Sequence, residues 1–547
     1  MDRVDFIIIS QSEVVNYSGY SKLPLDRIPL YSRLIYPRMV YYRGGFRSHL
    51  DLLNYFIHGR FWNEADYEQR RKMFSIWNLP GFVGPHLANY LHGFDISTYV
   101  INNIDAEWDL FQRIYEQNDP PPIVGISTTF HLNYSEIHRL TKWLKSTYPE
   151  ISILVGGAFI NGEMISSDAA PLGQAMNKYG IDYALHGFNS EVDLKNLLLW
   201  RKTREERPDN VRNLIIRTES TNGNPGYTQS ESSWNAPLLN GVPACWDDLQ
   251  MPFLNSIFQL RTSSGCPFSC AFCSYPETAG GFHLIPIDVV EEHIKSVMKI
   301  PGIDKIIFID DTFNVPRRRF HDLCKMFARY DFEWFSFLRV QFVDDETAAL
   351  MKDSGCRAVY LGIESANDLV LKNMNKNADR GQFSRGVEYL KKNGITALAA
   401  FVLGFPGETE KTIQDDIDFI ESQGIDFYTL KEFYYLQNTP VHKKREFYGL
   451  TGSGDRWTHH TMDSEAAHGH KINMFKQIKG STFIDPDTSL WYLAYLYDRG
   501  FSLAEIAEIQ GGINSVVASQ IDGGFDDNHP ALIRLQEKLD PKRGLHP

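Results

Sequence analysis

The chain has 547 residues, of which 43% are hydrophobic and 22% are charged, and its formal net charge is −13. This composition excludes global disorder, and the length allows about three or four domains with packed cores. The acidic balance argues against a nucleic-acid partner, which needs a concentrated basic face, and we expect no membrane partner because no stretch reaches eighteen apolar residues.

Strands alternate with helices over residues 1–215, which predicts a doubly wound parallel α/β sheet. The predicted strands are RVDFIII, ISTYVINN, PIVGISTT, ISILVGG and IDYALHG, and the predicted helices are GPHLANYLHGF, AEWDLFQRIYEQ, SEIHRLTKWLKSTYP and SEVDLKNLLLWRK. A Tyr- and Arg-rich stretch at 12–80 follows the first strand, and we expect most of it to pack across this sheet.

Small and hydroxyl-bearing residues follow the strands of this first domain. Ligands of doubly wound sheets bind outside the carboxyl ends of the strands. The candidate ligand-binding residues there are Ser127, Thr128, Gly156, Gly157 and Gly187. Glycine lets a flat ligand approach the backbone closely, and the hydroxyls offer hydrogen bonds.

Residues 219–236 are rich in Gly, Asn and Ser, and a turn or linker is predicted around them at 216–250. Over 251–440 the alternation restarts with six strand–helix repeats, too few for a closed eight-stranded barrel, so we expect an open six-fold β/α barrel. The remaining residues, 441–547, are predicted to form a small, mostly helical C-terminal domain.

Three of the six cysteines lie within SGCPFSCAFCSY, as Cys266, Cys270 and Cys273. So few cysteines are no disulfide framework, and we expect a reduced, cytoplasmic location. Thiolates bind soft metals or iron–sulfur centres. A zinc ribbon requires a fourth ligand at a second paired spacing, which is missing, whereas a four-iron cluster held by three thiolates keeps one iron open to an outside ligand.

The CxxxCxxC spacing, with Phe272 directly before the last cysteine and after the first barrel strand, resembles the radical SAM superfamily. The resemblance implies that Cys266, Cys270 and Cys273 hold a [4Fe-4S] cluster whose fourth iron is chelated by S-adenosyl-L-methionine (SAM). Reductive cleavage of SAM then yields a 5′-deoxyadenosyl radical. The resemblance also implies that Phe272 packs near the adenine.

Three later segments resemble further parts of the same family's SAM site: FIDDTF (308–313), LGIESAN (361–367) and FVLGFPGET (401–409). The neighbours of SAM that this implies are Asp310, Glu364, Ser365 and Gly404, with Arg339 as a further polar residue at a strand end. A structural metal loop is the alternative for the cysteines.

In the first domain, STTFHLNYSEIHRLTKWLKSTYPEISILVGGAF and DYALHGFNSEVDLKNLL resemble the cobalamin-binding domain found in one radical SAM subfamily. The D-x-H-x-x-G segment that donates an axial histidine in other cobalamin domains is absent, so the resemblance implies base-off cobalamin without a protein histidine ligand. The alternative is a Rossmann-like domain that binds nothing or another ligand.

WTHHTMDSEAAH follows the last barrel strand, and with the helical tail it gives a layout similar to the phosphinothricin-type radical SAM P-methyltransferases. His459, His460 and Arg339 are the candidate catalytic residues for a phosphinate substrate. A solvated loop is the alternative for the histidine segment.

These resemblances imply a methyltransferase that moves a methyl group from methylcobalamin to an unactivated carbon or a phosphinate phosphorus of a natural-product intermediate. Its small-molecule substrate and an external low-potential electron donor of flavodoxin or ferredoxin type are the implied partners. A cobalamin radical SAM enzyme that carries out a rearrangement or ring contraction fits the same motifs. A cobalamin or iron–sulfur sensor protein is a third hypothesis.

Overall fold

The computed structural model describes residues 3–13, 17–131, 133–166, 169–187, 189–203, 211–221, 224–233, 235 and 242–539. The strands up to residue 229 are β1 (Phe6–Gln11), β2 (Met39–Tyr42), β3 (Gly45–Ser48), β4 (Thr98–Asn103), β5 (Ile123–Ser127), β6 (Ile153–Gly156), β7 (Tyr183–Leu185), β8 (Leu214–Thr221) and β9 (Asn224–Gln229). The helices of the same part are α1 (Tyr17–Tyr20), α2 (Ile28–Ile35), α3 (His49–His58), α4 (Tyr67–Lys72), α5 (Val83–His92), α6 (Ile104–Glu116), α7 (Tyr134–Thr147), α8 (Ala158–Ser166), α9 (Ala169–Tyr179) and α10 (Glu191–Thr203).

The first sheet has the strand order β4-β1-β5-β6-β7-β8-β9, and its first five strands are parallel. All six residues of β1 are buried, as expected for a strand covered by helices on both faces. This part agrees with the predicted doubly wound sheet. The linker predicted at 216–250 differs from the structure, because β8 crosses residue 216 and pairs antiparallel with β7 and β9. The polar composition of this segment is typical of an antiparallel edge with one solvated face.

A second seven-stranded sheet begins at residue 257. Its strands in this part are β10 (Ile257–Leu260), β13 (Lys305–Phe308), β14 (Glu333–Leu338), β15 (Cys356–Glu364), β16 (Thr396–Leu403) and β17 (Phe427–Glu432), with a two-residue hairpin pair β11 (Ser263–Ser264) and β12 (His283–Leu284). The helices are α11 (Tyr275–Thr278), α12 (Ile287–Val297), α13 (Arg317–Phe327), α14 (Asp345–Asp353), α15 (Asp368–Asn373), α16 (Arg380–Lys392) and α17 (Glu410–Gln423). The six strands pair in parallel in chain order, in agreement with the expected six-fold β/α barrel.

The C-terminal part contains α18 (Arg445–Tyr448), β18 (Thr451–Ser453), β19 (Arg456–His459), β20 (Met462–Asp463), α19 (Ser464–Gln477), β21 (Thr482–Phe483), α20 (Ser489–Asp498), α21 (Leu503–Ile521) and α22 (Pro530–Leu539). It is mostly helical, as predicted, but it also completes the barrel. β21 pairs parallel to β17 as a seventh strand.

Helix α20 lies along the open side of the barrel, against β10, β14 and β15. Its sequence SLWYLAYLYD is apolar almost all round, which is typical of a helix buried on several sides. The Trp491 Nε1 atom lies 3.3 Å from Gln259 Oε1 on β10, and the Ser256 amide donates to Asp498 near the start of that strand. The helix therefore acts as an additional wall of the barrel.

Residues 12–80 do not pack mainly across the first sheet, which differs from the expectation. Their apolar side chains, among them Ile35, Met39 and Phe46, belong to the same hydrophobic core as the barrel and the C-terminal helices. The amide group of Gln520 on α21 also bonds both backbone groups of Tyr41, at 2.7 and 2.8 Å. The Gln520 side chain thus satisfies the backbone hydrogen-bonding groups at the edge of β2. These bonds connect the insertion to the C-terminal helices. No helix of the described residues has the length and hydropathy that crossing a bilayer requires.

A buried ion cluster fixes the insertion to the end of β17. Arg33 lies 2.6 Å from Glu432, and His468 and Lys471 lie 3.0 and 3.3 Å from the same carboxylate. Burial alone would raise the pKa of Glu432, but the hydrogen bond from His468, the charge of Lys471 and the hydrogen bond from Arg33 lower it to about 2.

We expect Glu432→Gln to lower the free energy of unfolding at pH 7 by about 3 kcal/mol, since one pKa unit corresponds to about 1.4 kcal/mol. A lowered folded-state pKa stabilises above the unfolded value of about 4.3 and loses that contribution as the pH falls towards 2. Urea unfolding at pH 7 and pH 3 measures this, and the difference should fall to about half at pH 3. Glu465→Gln, which alters an exposed partner of Arg33, is the control. An equal difference at both pH values would contradict the assignment.

Candidate functional site

The cysteine loop leaves the carboxyl end of β10 through a glycine that no other residue can replace. Gly265 has a φ of +79°, and a Cβ there would lie 1.7 Å from the Gly281 carbonyl oxygen. The loop is tied down by the Ala271 amide, which donates to the Met374 carbonyl at 2.8 Å, and by the Val441 amide, which donates to the Ala271 carbonyl at 2.9 Å. The loop is therefore held from both sides by the rest of the barrel.

Cys270 is buried, and Cys266 and Cys273 are half-buried. Burial raises the pKa of Cys270. Burial also raises the pKa of Cys273 to about 11, and the nearby Cys270 and Cys266 thiols contribute to that increase. Three thiols that repel one another as thiolates need a cation between them.

Arg339, at the end of β14, contacts the cysteine loop directly. Its Nη2 donates to Cys270 Sγ at 2.8 Å, its Nη1 donates to the Lys376 carbonyl at 2.9 Å, and its guanidinium lies 3.6 Å from the Phe268 ring centroid. A 5% exposed guanidinium with these partners is fixed in place. The structure therefore gives this predicted catalytic residue a contact with a candidate cluster ligand.

We expect Arg339→Gln to shift the reduction potential of a cluster bound here to a more negative value, because hydrogen bonds and positive charge near the sulfurs favour the reduced state. Redox titration followed by electron paramagnetic resonance measures the shift. Arg318→Gln, at an exposed position of α13, is the control. An unchanged potential in Arg339→Gln would mean that the contact does not influence the centre.

Asp310 follows β13 and organises the backbone in front of the cysteine loop. Its carboxylate accepts hydrogen bonds from the Thr262 amide and hydroxyl, at 3.0 and 2.9 Å, and from the Ser263 hydroxyl, at 2.5 Å. The residue is buried, which raises its pKa, and these bonds partly offset the rise. Asp310 thus holds in place the residues that lead into the cysteine loop.

Glu364 and Ser365 end β15 in an unusual conformation. Glu364 has a φ of +68°, and its Oε1 accepts from the Lys376 Nζ at 2.8 Å. Gly362 leaves room for this pair, since a Cβ there would lie 2.7 Å from the Glu364 carboxylate. The Ser365 hydroxyl donates to Asp416 at 3.1 Å and is fully buried. Of the two, only Glu364 is accessible for a ligand.

Gly404 directly follows β16 and has a φ of +88°, and a Cβ there would lie 2.3 Å from the Trp457 ring. His459 stacks on Trp457, its Nε2 lies 2.9 Å from the Gly404 carbonyl, and its Nδ1 lies 3.2 Å from the Thr461 hydroxyl. Burial lowers the pKa of His459, which favours the neutral ring. Both ring nitrogens of His459 are within hydrogen-bonding distance of protein atoms. The structure therefore indicates that His459 holds the Gly404 backbone in place.

His460 points away from that arrangement. It is exposed, and its ring lies against Gly449, where a Cβ would come within 2.4 Å of it. Phe272 is half-buried and meets Phe405 edge to face at 6.3 Å, which connects the cysteine loop to the segment after β16. Seven of the predicted site residues thus lie at the carboxyl ends of the barrel strands: Cys266, Cys270, Cys273, Arg339, Phe272, Glu364 and Gly404. His460 does not lie with them.

The predicted ligand residues of the first domain lie in one cleft. Ser127, Gly156, Gly157 and Gly187 line it, and its volume is about 320 Å³, within the range of small-molecule sites, about 300–1,000 Å³. Gly157 has a φ of +122°, and a Cβ there would lie 3.0 Å from the amide nitrogens of residues 128 and 129. Thr128 supports the wall from behind, since its hydroxyl donates to the Gly156 carbonyl at 3.0 Å.

The same cleft is lined from the barrel side by Arg261, Ser264, Tyr275 and Ala279, which flank or belong to the cysteine loop region. The first-domain cleft therefore borders the region of the cysteine loop. The cleft continues inward between the sheet and α5 and α10, where Phe6, Ile8, Leu154, Leu185 and Leu194 line it. His86, the one histidine among its described lining residues, has its Nε2 3.2 Å from Glu191 Oε1.

Sequence reasoning did not find several residues of the site. Three of them lie outside the sequence motifs: Lys376, Asp416 and Arg261. Each belongs to the site through a contact with a residue that is distant in the sequence. Glu408 also accepts the Gly404 amide, and burial together with the nearby Asp416 raises its pKa well above the ordinary value. The position of Glu408 at the end of FVLGFPGE could have identified it from the sequence, because a charged side chain in an apolar strand–helix turn needs a hydrogen-bonding partner.

Residues 260–420 match the family model of the radical SAM superfamily. Over 171 residues the chain is 34% identical to a protein of Pyrococcus horikoshii named as an uncharacterized methyltransferase. That match covers 31% of this chain and 37% of the relative, so the chain spans well under two thirds of that relative.

Two solved structures share the fold. The radical SAM methyltransferase TsrM from Kitasatospora setae, with cobalamin and a [4Fe-4S] cluster bound, gives a TM-score of 0.53 at 16% identity over 68% of this chain and 74% of that one. The cobalamin-dependent radical enzyme OxsB, with aqua-cobalamin and SAM bound, gives a TM-score of 0.55 at 14% identity over 85% and 82% of the two chains. Residues 260–420 of this chain are thus a radical SAM domain, set in a fold that cobalamin-dependent radical SAM enzymes also have.

Proposed function

We propose that this chain is a cobalamin-dependent radical SAM methyltransferase that acts on an unactivated carbon or a phosphinate phosphorus of a small natural-product intermediate. The observation that carries the proposal is the cleft lined both by the glycine-rich strand ends of the first sheet and by the residues around the cysteine loop. An enzyme of this class must bring two cofactors to one substrate. The cobalamin, cluster and SAM named for the compared structures support the same reading.

The residues of the loop fit an iron–sulfur cluster. Cys266, Cys270 and Cys273 supply three soft ligands, and none of them is used in a disulfide. The guanidinium of Arg339, which contacts Cys270 Sγ, would offset the negative charge of a cluster bound there. The Thr312 hydroxyl lies 3.4 Å from Cys266 Sγ and adds a second hydrogen-bonding group.

The first-domain cleft, with a volume of about 320 Å³, fits the tail of cobalamin, and the macrocycle would lie in front of the strand ends. Gly157 and Gly187 both have positive φ, and side chains there would narrow the wall that lies over the strand ends. The inner part of the cleft, between the sheet and α10, is apolar and suits a buried nucleotide tail. When bound, the cluster with SAM supplies radical chemistry, and cobalamin supplies a transferable methyl group.

The chain's own residues then bind and orient SAM and exclude water from the site. Glu364 and Lys376 form a polar pair for the charged end of SAM, while Phe272 and Phe405 offer an apolar surface for its adenine. Glu408, Trp457 and His459 fix the Gly404 backbone beside that surface. An external low-potential electron donor of flavodoxin or ferredoxin type completes the proposal.

An anaerobic product assay tests the proposed function. The protein is reconstituted with iron, sulfide and hydroxocobalamin and is given SAM and a low-potential reductant, and the nucleosides are quantified by mass spectrometry. Deoxyadenosine together with cobalamin-dependent S-adenosylhomocysteine is the expected result. Deoxyadenosine alone would favour a rearrangement or ring contraction, and neither product from cluster-loaded protein would favour a sensor.

A further inference from the structure

Three side chains with metal-binding groups lie together where the first domain meets the segment that leads into the barrel. His92 is the last residue of α5, and Cys245 and Asp248 lie at the start and the end of a single turn of 3-10 helix. One imidazole nitrogen, the thiol sulfur and one carboxylate oxygen all lie within 4.8 Å of one another. We call these three residues the junction triad. None of them lines the cofactor cleft.

The buried side chain of Asn89 fixes the triad from the side of the first domain. Asn89 lies on α5, three residues before His92. Its Oδ1 accepts a hydrogen bond from the Cys245 amide at 2.9 Å, and its Nδ2 donates to the Pro243 carbonyl. Residues three apart on an α-helix lie on the same face. The bonds made by Asn89 therefore place Cys245 beside His92.

The barrel side fixes the same segment through α12. The Trp246 side chain is 2% exposed, and its Nε1 donates to His293 Nδ1 at 2.7 Å. The Trp246 amide donates to the Ser296 hydroxyl at 2.8 Å. Within the turn, the Asp248 amide donates to the Cys245 carbonyl at 3.2 Å, which brings these two side chains to one side. The three candidate ligands thus project from backbone that is held on both sides.

The two adjacent carboxylates of this turn differ in their partners. Asp247 accepts a hydrogen bond from the Ser296 hydroxyl at 2.6 Å and lies 3.4 Å from Lys299 Nζ. Asp248 has no Lys or Arg nitrogen within 4.0 Å among the described residues. Its contact with His92 Nε2, at 3.9 Å, is too long for a hydrogen bond. Asp248 is therefore the carboxylate that remains available to a metal ion.

A second group of the described residues has similar spacing but already contains a cation. His321, Asp344 and Glu346 also have ligand atoms within 4.8 Å of one another. Arg317 pairs with both carboxylates of that group, and His321 Nε2 lies 2.8 Å from the Thr347 hydroxyl. The guanidinium takes the place that an ion would occupy there. The junction triad has no such internal cation among the described residues.

The chemistry of the triad matches zinc. Zn²⁺ binds thiolate, imidazole and carboxylate groups at about 2.0–2.3 Å, so the ligand atoms of one ion lie roughly 3.5 Å apart. The His92 and Asp248 side chains are exposed, and their rotation closes the remaining distance. A water molecule supplies the fourth ligand of a tetrahedral site.

We propose that the junction triad binds one Zn²⁺ ion through His92, Cys245 and Asp248, and that the ion fastens α5 to the segment that enters the barrel. Helix α5 also supplies Val83, His86 and Leu87 to the cofactor cleft, so the ion steadies one wall of that cleft. The site does not depend on which ligand the cleft holds.

Zinc analysis of the anaerobically reconstituted, cluster-loaded protein tests the proposal. The protein is dialysed to equilibrium against zinc-buffered solutions at neutral pH, and zinc and iron are counted by mass spectrometry. One zinc ion per chain is expected. Cys245→Ser, His92→Gln and Asp248→Asn should each weaken zinc binding by at least about tenfold, with unchanged iron content. Asp247→Asn, which alters the adjacent carboxylate, is the matched control and should bind zinc as the parent protein does.

X-ray absorption at the zinc edge identifies the ligands. One sulfur at about 2.3 Å with nitrogen and oxygen at about 2.0–2.2 Å is expected. Several sulfur ligands would place the zinc in the cysteine loop and overturn the proposal. So would the absence of stoichiometric zinc, unchanged affinity in Cys245→Ser, or an equal loss in Asp247→Asn. Circular dichroism of each variant checks that it folds. Because no turnover is measured, failure of this site is distinguishable from failure of the proposed enzyme activity.

Discussion

Replacing Cys266 by alanine is expected to abolish deoxyadenosine formation and to leave the protein without a four-iron cluster, while cobalamin binding persists. A cluster that keeps one iron open for SAM has three protein ligands, so the loss of one leaves two, too few to retain the centre. Cys266 lies at the start of the loop, its Sγ is 3.4 Å from the Thr312 hydroxyl, and it is not among the residues that line the first-domain cleft. Iron and sulfide content, electron paramagnetic resonance and nucleoside products together measure the effect.

Cys324→Ala is the matched control, because Cys324 is buried in α13 and lies outside the loop. Its iron content and product formation should equal those of the parent protein, whatever its stability. A Cys266→Ala protein that kept a full cluster and formed deoxyadenosine would refute the assignment of the three thiolates.

Replacing Gly157 by valine is expected to remove cobalamin binding and, with it, formation of S-adenosylhomocysteine, while deoxyadenosine formation remains. Gly157 has a φ of +122°, which disfavours any side chain, and its Cβ would lie 3.0 Å from two backbone amides of the β5–α7 turn. A branched side chain there displaces that turn or fills the cleft in front of it. The visible spectrum of protein freed from unbound cobalamin by gel filtration measures the loss.

Gly162→Ala provides the control, because Gly162 lies one helical turn further on in α8 and a Cβ there meets nothing within 4 Å. It should bind cobalamin as the parent protein does. If Gly157→Val retained the cobalamin spectrum, the macrocycle would have to lie elsewhere, and the cleft would need another ligand.

The elements that follow local rules were predictable from sequence. The alternation of buried strands and amphipathic helices gave both parallel sheets, because such patterns reflect burial of each strand by the helices next to it in the chain. The cysteine loop was predictable for the same reason: its ligands lie within eight residues and need no tertiary information. The glycines at 157 and 404 were identifiable because the backbone at strand ends needs conformations that other residues avoid.

Contacts between distant segments were not predictable. The hydrogen bond from Arg339 to Cys270 joins two loops 69 residues apart, and the polar sequence of β8 and β9 resembles a linker because only one face of an edge hairpin is buried. The insertion at 12–80 has no regular period, since its apolar residues pack against helices that come more than 400 residues later. His459 illustrates the same limit, because its motif suggested chemistry while its position gives it a backbone partner.

The wall formed by α20 has a consequence for how the protein is made. The Ser75 amide donates to the Tyr495 hydroxyl of α20 across 420 residues, and the Ser256 amide donates to Asp498 of α20 across 242 residues. Contacts between such distant segments slow the folding of the barrel, because long loops must close before they form. Until α20 has been synthesised, the barrel interior and the insertion remain uncovered and prone to aggregation, and we expect truncation before α20 to prevent folding of the barrel.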